Sequence, residues 1–279
     1  MRILVLSNLY PPAAVGGYER MCHDVVERWR ARGHDITVLT TTFGGAGQPV
    51  EPAVHRRLSL YWNGEEIVCP PLLQQIRLER ANQRALARAL RRARPDVVSV
   101  WGMGGLSLGL LAAISDRGLP ITFVVGDDWL VYGRWADCWT RRLDSDSPHV
   151  RRLARLLRLP GAPPALGAAG AFYFVSEFTR RRAEEVVAME MPRVAVVPAG
   201  IDHTDVPPAA PQELPWRWRL LCVDSPAEIA AALRRLAADD GLRRRLVLAG
   251  IDTAAQFSVE RQAAALEEAH VAVARRVPR

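Results

Sequence analysis

The sequence predicts an α/β protein built around a parallel, doubly wound sheet. Along residues 1–202, short apolar runs alternate with amphipathic segments of helical period, and glycines and prolines separate the two. The runs at residues 97–101 (VVSVW) and 121–125 (ITFVV) are apolar almost throughout, which is typical of strands buried on both faces. Strands that alternate with helices in this way form βαβ units and hence a parallel sheet.

The first forty residues contain the clearest such unit. Residues 3–9 form an apolar run that predicts a buried strand, and two prolines after it end that strand. A helix is predicted from Gly16 and Gly17 to residues 32–34, and a second strand at residues 36–39.

The turn before this helix is the first candidate binding site. Adjacent glycines permit positive φ angles and a close approach of the backbone to a ligand, and the free N–H groups of a helix start attract anions. Gly16 and Gly17 therefore suit a phosphate or a sugar hydroxyl, although a tight connection alone would also explain them. A dinucleotide site is disfavoured, because the spacing is not GxGxxG and threonines, rather than an acid, end the second strand.

The alternation continues through the middle of the chain. The Asn-Gly pair within residues 54–68 predicts a hairpin, and residues 72–94 have the period of a long amphipathic helix. An apolar helix is predicted at residues 106–117. Further on, residues 171–178 predict a strand that runs into a helix, and residues 193–197 predict a last short strand.

Two acids and a tryptophan follow the strand at residues 121–125. Ligands of open α/β sheets bind at the carboxyl ends of the strands, so Asp127, Asp128 and Trp129 are candidate site residues. The alternative is that the acids cap a helix and that one of them is solvated.

A basic amphipathic helix is predicted at residues 150–159 (VRRLARLLRL). Its cations are Arg151, Arg152, Arg155 and Arg158. Such a helix can lie on an anionic membrane surface, but helices whose arginine face is simply solvated are commoner.

Composition limits the classes of partner. The chain has 279 residues, a formal net charge of +7 and no lysine, so all 37 basic residues are arginine. Aromatic residues are not interleaved with the arginines as single-strand binders require, which argues against nucleic acid.

The four cysteines indicate neither a metal site nor a disulfide framework. They are Cys22, Cys69, Cys138 and Cys222, which are far apart and form no CxxC motif. We therefore expect reduced thiols, no metal and a cytoplasmic location, with peripheral contact at the inner face of a membrane as an alternative. Neither a cleavable leader nor a membrane-spanning run is expected.

The sequence divides into two domains of unequal completeness. Residues 1–202 supply the predicted doubly wound sheet, and the proline-rich residues 203–215 predict a linker. Residues 216–279 predict one strand, at 218–223, followed by helices. One strand cannot form an independent sheet, so we expect this second domain to be mostly helical and incomplete.

Five pieces of the chain carry a family resemblance. They are RILVLSNLYPP with GGYER, RARGHDITVLT, RPDVVSVWG, FVSEFTRRR and RVAVVPAGID. In this order and spacing they resemble the large family 4 of retaining GT-B glycosyltransferases. The resemblance implies two Rossmann-like domains that face a cleft, with the acceptor held mainly by the first and a nucleotide-sugar held mainly by the second.

Site residues carry over only where these motifs match. By resemblance, Gly16 and Gly17 lie near the donor diphosphate and the transferred sugar, whereas Glu19 is expected mainly to stabilise the helix start. Three further residues match the strand-to-helix segment that lines the cleft: Ser176, Glu177 and Arg180. Many relatives carry a histidine where this chain has Gly126, so the role of that histidine does not transfer.

The resemblance also predicts that most of the donor domain is absent. PWRWRLLCV is similar to the first strand of that domain, and the residues after it are similar to the family's final helices, so on the order of one hundred residues would be missing. The donor would be a substrate, with no cofactor or metal. Positioning and electrostatic stabilisation need prearranged groups, so we expect weak or absent transfer by the isolated chain.

Two hypotheses remain from the sequence. The first is a degenerate glycosyltransferase or one that works beside a partner transferase or a second copy of itself. The second is a noncatalytic module that binds a saccharide or assembles with a transferase. In both, the resemblance implies that the last helix packs on the first domain, and four apolar residues are expected to make this contact: Ala263, Leu266, Ala269 and Val273.

Overall fold

Among the described residues, seven parallel strands form one sheet. The computed structural model describes residues 1–44, 51–145, 148–162, 166–187, 189–202 and 226–275. The strands are β1 (Arg2–Leu6), β2 (Asp35–Thr41), β3 (Val54–Leu58), β4 (Val97–Val100), β5 (Ile121–Val125), β6 (Gly170–Phe174) and β7 (Val194–Val196).

Helices connect the strands and continue beyond the last of them. Those within the sheet region are α1 (Gly17–Ala31), α2 (Leu72–Ala93), α3 (Gly109–Ser115), α4 (Trp129–Ala136), α5 (Cys138–Asp144), α6 (Pro148–Leu156), α7 (Leu166–Ala169) and α8 (Glu177–Val186). Three more follow, α9 (Pro226–Ala238), α10 (Asp240–Ala254) and α11 (Val259–Ala274).

The strand order confirms the doubly wound parallel sheet. The order is β3-β2-β1-β4-β5-β6-β7, and every neighbouring pair is parallel. The chain therefore builds outward from β1 to β3 and then returns to add β4 on the other side of β1. Because the direction of winding reverses between β1 and β4, the loops after these strands diverge and leave a crevice at their carboxyl ends.

Alternation along the strands supplies side chains to a separate core on each face of the sheet. In β1, Ile3 and Val5 contribute to the core that includes residues of α1 and α11. Leu4 and Leu6 contribute to the core that includes residues of α2 and α3. All four are fully buried, as expected for a strand at the centre of a sheet that helices cover on both faces.

The described chain forms two compact units. One comprises Met1–Ala199 together with Val259–Arg279, so α11 belongs with the sheet, and the other is Gly200–Ser258. The four apolar residues expected on the inner face of the last helix, Ala263, Leu266, Ala269 and Val273, are all buried. In the second unit, the side chain of Asp239 caps α10 by accepting from the Leu242 N–H, and Ile201 N–H donates to the Phe257 carbonyl at 2.9 Å.

The hairpin predicted at residues 54–68 is wrong. β3 pairs in parallel with β2, with Val54 opposite Val38, and not with the residues after the Asn-Gly turn. That turn exists, since Asn63 Oδ1 accepts the N–H groups of Glu65 and Glu66, but it closes only a bridge between Trp62 and Ile67. The predicted Asn-Gly turn therefore forms, but β3 pairs with the open edge of β2 and not with the residues after the turn.

The expectation that the cysteines form no disulfide is also wrong. Cys69 and Cys138 are joined by a disulfide, with their Cα atoms 5.4 Å apart. Their separation of 69 residues in the chain hides this proximity, which arises because the segment before α2 runs beside the start of α5. Cys22 is a buried free thiol, and Cys222 lies outside the described residues.

Two other predictions fall outside the described residues. They are the linker at residues 203–215 and the strand at residues 218–223. Among the helices that the structure describes, none has the length and apolar character needed to cross a membrane.

Candidate functional site

A cavity of about 660 Å³ lies at the carboxyl ends of β1 and β4, where the winding of the sheet reverses. The loops after these two strands, the first turn of α1, the segment after β3, and α4 and α5 form its walls. Its lining residues are Asn8, Leu9, Val15, Glu19, Trp62, Glu65, Glu66, Ile67, Gly104, Gly105, Tyr132, Trp135, Ala136 and Arg141.

Asn8 fixes the floor of this cavity. Its amide Nδ2 donates to the Gly104 carbonyl at 3.0 Å, and its backbone N–H donates to the Gly102 carbonyl at 2.7 Å. A Cβ on Gly102 would stand 2.3 Å from Asn8 Oδ1, so only glycine leaves room for this side chain. The loops after β1 and β4 are thereby held together.

The Gly16-Gly17 turn differs from the expectation of a positive φ. Gly16 is extended, with φ −152° and ψ −162°, which any residue can adopt. A Cβ on either glycine would meet no atom within 4 Å, and both residues are exposed. No contact within the described chain therefore requires glycine at these two positions.

Glu19 stabilises the helix start and also lines the cavity. Its Oε2 accepts the Gly16 N–H at 3.0 Å, so the carboxylate lies over the amino end of α1, where the helix dipole favours an anion. One of the amides that the sequence suggested for a ligand is therefore already engaged by the protein.

Asp127 joins the site through Tyr132. Its Oδ2 accepts the Tyr132 hydroxyl at 3.0 Å, and its Oδ1 accepts the Trp129 N–H at 3.2 Å. Burial raises the pKa of Asp127, and the neighbouring carboxylates of Asp128 and Glu19 add to that rise. Asp127 thus positions the ring of Tyr132, which lines the cavity, and accepts a hydrogen bond from the N–H of Trp129, the first residue of α4.

The other two residues of this segment point elsewhere. Asp128 Oδ2 lies 2.7 Å from Arg182 Nε on α8, and its side chain makes no capping hydrogen bond. Trp129 is 1% exposed and packs in the core beside Phe123, with ring centroids 6.1 Å apart. The strand end therefore supplies one residue near the cavity, Asp127, rather than three.

Ser176, Glu177 and Arg180 lie at the start of α8, after β6. Ser176 caps the helix, because its Oγ accepts the Thr179 N–H at 3.1 Å. Arg180 bonds to Glu177 and Glu184 on its own helix, at 2.7 and 2.6 Å. These three residues are not among those that line the cavity.

Tyr18 covers the backbone of Gly126. A Cβ on Gly126 would lie 2.7 Å from two carbon atoms of the Tyr18 ring, and the Tyr18 hydroxyl donates to the Val124 carbonyl. Burial raises the pKa of Tyr18 well above its usual value, so the phenol stays neutral. Any larger residue at position 126 would have to displace this ring.

Aromatic residues that were not predicted from the sequence form much of the cavity wall. Trp62 stacks on Phe43 with ring centroids 5.0 Å apart, and its Cβ sits where a side chain on Gly105 would be. Tyr132 and Trp135 come from α4. The spacing of Tyr132 and Trp135, three residues apart on a short helix after the candidate strand end, was the available signal.

The charge around the cavity is opposite to that of the whole chain. Three residues with carboxylates, Glu19, Glu65 and Glu66, line the cavity together with one arginine, Arg141, whose Nη1 lies 3.6 Å from Cys69 Sγ. Within the ranges that the structure describes, no group of three or more His, Cys, Asp and Glu side chains is arranged to hold a metal ion.

The basic helix, α6, uses its apolar face internally. Ala154 is fully buried, and Leu153 and Leu157 pack against the same core cluster. Arg151 turns back and donates to the Leu143 carbonyl, while Leu156 is 75% exposed. Much of the apolar surface that a membrane helix would insert is therefore covered by the protein.

The chain is similar to a known family and to solved structures. The family model described as Glycosyltransferase Family 4 matches residues 15–205. Among solved structures, sucrose-phosphate synthase from Thermosynechococcus elongatus is similar at 12% identity and a TM-score of 0.43, over 72% of this chain and 49% of that one. The 3-alpha-hydroxysteroid dehydrogenase from Pseudomonas sp. B-0831 complexed with NADH gives 14% identity and a TM-score of 0.28, over 73% and 98%.

The family model and the solved structures match this chain to different extents. This chain spans about half the length of the synthase. A comparison with curated protein sequences gives no match. The family model, in contrast, covers most of the sheet region, from the glycine turn before α1 to beyond β7. The chain therefore belongs to Glycosyltransferase Family 4.

Proposed function

We propose that this chain is the acceptor-side half of a glycosyltransferase that takes a nucleotide-sugar as its donor and transfers the sugar with retention of configuration. The observation that carries this proposal is the cavity at the reversal of the sheet, beside the Gly16-Gly17 turn. The turn is exposed and no neighbouring atom of the described chain requires glycine there, so the two glycines are best explained by the close approach of a ligand.

In this proposal the cavity holds the acceptor and the glycine turn faces the donor. Holding the acceptor against a donor gains rate mainly through proximity and orientation. The remaining groups that would bind a leaving diphosphate belong, in this proposal, to a donor domain, most of which the family resemblance predicts to be absent. We therefore propose weak or absent transfer by this chain alone.

The decisive experiment titrates the chain with UDP-, GDP- and ADP-sugars. Saturation-transfer NMR should detect weak binding of at least one of them, whereas calorimetry should show no micromolar binding and a release assay no turnover. Micromolar binding with turnover would contradict the proposed weak activity. Absence of any NMR signal would contradict the proposed donor-facing turn.

A matched pair of variants tests the turn itself. A Cβ atom at Gly17 or at Gly250 would meet no atom within 4 Å, so Gly17→Leu and Gly250→Leu should both fold normally. Gly17→Leu should abolish the NMR signal of the nucleotide-sugar, because the new side chain would occupy the ligand's space. Gly250→Leu, in α10, should leave it unchanged.

A noncatalytic assembly module is the second candidate, and one observation favours it. Leu246, Val247 and Leu248 on α10 are each more than half exposed, so this helix presents apolar side chains that the described residues do not cover. Such surfaces commonly mark sites of protein association. Size-exclusion chromatography over a range of concentrations should then show self-association, and a monomer throughout would count against this candidate.

A further inference from the structure

We propose that the cavity selects an acceptor with a flat ring that carries no negative charge, and that Trp135 and Trp62 hold this ring by stacking. This inference deepens the proposed function and rests on it. The shared chemistry is an apolar ring face, which either an aromatic aglycone or the C–H face of a pyranose can present.

Trp135 is the main reason for this proposal. It is 61% exposed, whereas Trp129, on the same helix, is 1% exposed in the core. Tryptophan has a large apolar surface that folding normally covers, so one left open on a cavity wall is available to a ligand. The helix thus uses one indole for stability and presents the other to the cavity.

Trp62 and Tyr132 are held in place before any ligand arrives. The stack on Phe43 restrains the Trp62 ring, and the hydrogen bond to Asp127 restrains Tyr132. Rings that are already oriented lose little conformational freedom on binding, which favours recognition of a rigid, flat partner. Leu9, Val15 and Ile67 add apolar surface around them.

The charged residues around the cavity limit which kind of acceptor ring can bind. Glu19, Glu65 and Glu66 outnumber Arg141 around the cavity, although the chain as a whole carries a net charge of +7. A phosphate or carboxylate on the acceptor would face like charges, which disfavours it. A neutral or basic ring meets no such penalty.

The test measures binding of acceptors without any donor. The probes are 4-methylumbelliferone as the aromatic ring, methyl β-glucopyranoside as the neutral pyranose, and glucuronic acid as its anionic counterpart. We expect saturation-transfer NMR to show binding of one or both neutral probes, with the ring protons closest to the protein, and weaker binding of glucuronic acid. The neutral probe that binds better shows whether the acceptor ring is an aromatic aglycone or a pyranose.

Variants then assign the contact. Trp135→Ala should lower the affinity for the probe by about tenfold, which is the size expected for one aromatic contact. Trp135→Phe keeps an aromatic ring and should recover much of that affinity. Phe178→Ala removes an aromatic residue that is 74% exposed on α8 and is absent from the cavity lining, so it should have no effect. Circular dichroism should show all three variants folded, because both positions are exposed.

Three results would overturn the inference. They are no binding of either neutral probe at millimolar concentration, tighter binding of glucuronic acid than of the neutral pyranose, and equal binding by wild type and Trp135→Ala. A response to a nucleotide-sugar without binding of either neutral ring would refute the ring inference while supporting the proposed transferase half. Ring binding without any response to nucleotide-sugars would do the reverse.

Discussion

The two consecutive helices α10 and α11 have nearly the same length and very different environments. α11 buries seven residues against the sheet region, including Leu266 and His270, whereas α10 buries none. Apolar residues of α10 run contiguously, as Leu246, Val247 and Leu248, and so spread around the helix. Those of α11 recur at helical spacing and face one side, which lets the whole face be covered at once.

Specific polar contacts accompany the apolar face of α11. Trp29 Nε1 on α1 donates to the Ala263 carbonyl at 2.9 Å, and the Trp29 ring lies edge-on to His270, with centroids 4.8 Å apart. The small side chain of Ala263 allows this close approach between the helices. Burial of an apolar face and hydrogen bonding of the Trp29 indole therefore occur together at this contact.

The largest effect should come from truncating the centre of the α11 face. Leu266→Ala should lower the free energy of unfolding by about 4 kcal/mol, because it removes a fully buried side chain and leaves a cavity. Leu248→Ala, at a position on α10 that is 54% exposed, should change it by less than about 1 kcal/mol. Urea unfolding of both variants measures the difference, and equal losses would show that the two helices do not differ in this way.

His270 should make the α11 contact sensitive to acid. The pKa of His270 is lowered to about 4, mainly by burial and also by the charge of His34, while the hydrogen bond to the Leu266 carbonyl opposes the shift. Since a carbonyl only accepts, Nδ1 donates to Leu266 and Nε2 accepts from the Thr122 hydroxyl at 2.6 Å. The neutral ring therefore satisfies both partners.

Because the pKa of His270 is lower in the folded chain than in the unfolded chain, acid should destabilise the fold. The unfolded chain binds the proton near pH 6.5 and the folded chain only near pH 4, so stability is full above pH 6.5 and falls as the pH drops through this window. The loss should reach roughly 3 kcal/mol near pH 4. Thermal unfolding of wild type and His270→Gln should differ in slope between these pH values, whereas the variant His149→Gln, at an exposed position, should follow the wild type.

The smallest effect concerns the ion pairs at the edge of α11. Glu267 accepts from Arg32 at 2.7 Å and from His34 at 2.8 Å. Burial raises the pKa of Glu267, but the two hydrogen bonds outweigh it and the net shift is downward. Glu267→Gln should cost about 1 kcal/mol at neutral pH, as expected for a partly exposed pair.

The adjacent residue, Glu268, provides the control for Glu267→Gln. Glu268 is exposed and forms no hydrogen bond or ion pair among the described contacts, so Glu268→Gln should leave the free energy of unfolding unchanged. Chemical denaturation at low and high salt distinguishes the two variants, because screening should reduce the loss caused by Glu267→Gln. A salt-independent loss would mean that shape, rather than charge, matters at this position.

Much of the fold could be predicted because it depends on local patterns. The strands at residues 97–100 and 121–125 and the helix Leu72–Ala93 lie where apolar period and turn residues placed them. Of the candidate site, the glycine turn, Glu19 and Asp127 lie in or near the cavity region. Ser176 and Arg180 lie on the predicted strand-to-helix segment, but they bond to residues of α8 and do not line this cavity.

The parallel α/β class, the order of the elements and the family could be recognised without any coordinates, because periodicity and motif spacing are properties of short stretches. Three further features became visible only in the folded chain: Cys69 meets Cys138, Trp62 and Trp135 line one cavity, and β3 pairs with β2. These are contacts between residues far apart in the chain. Their partners are chosen by which edges and faces remain open after the sheet has formed.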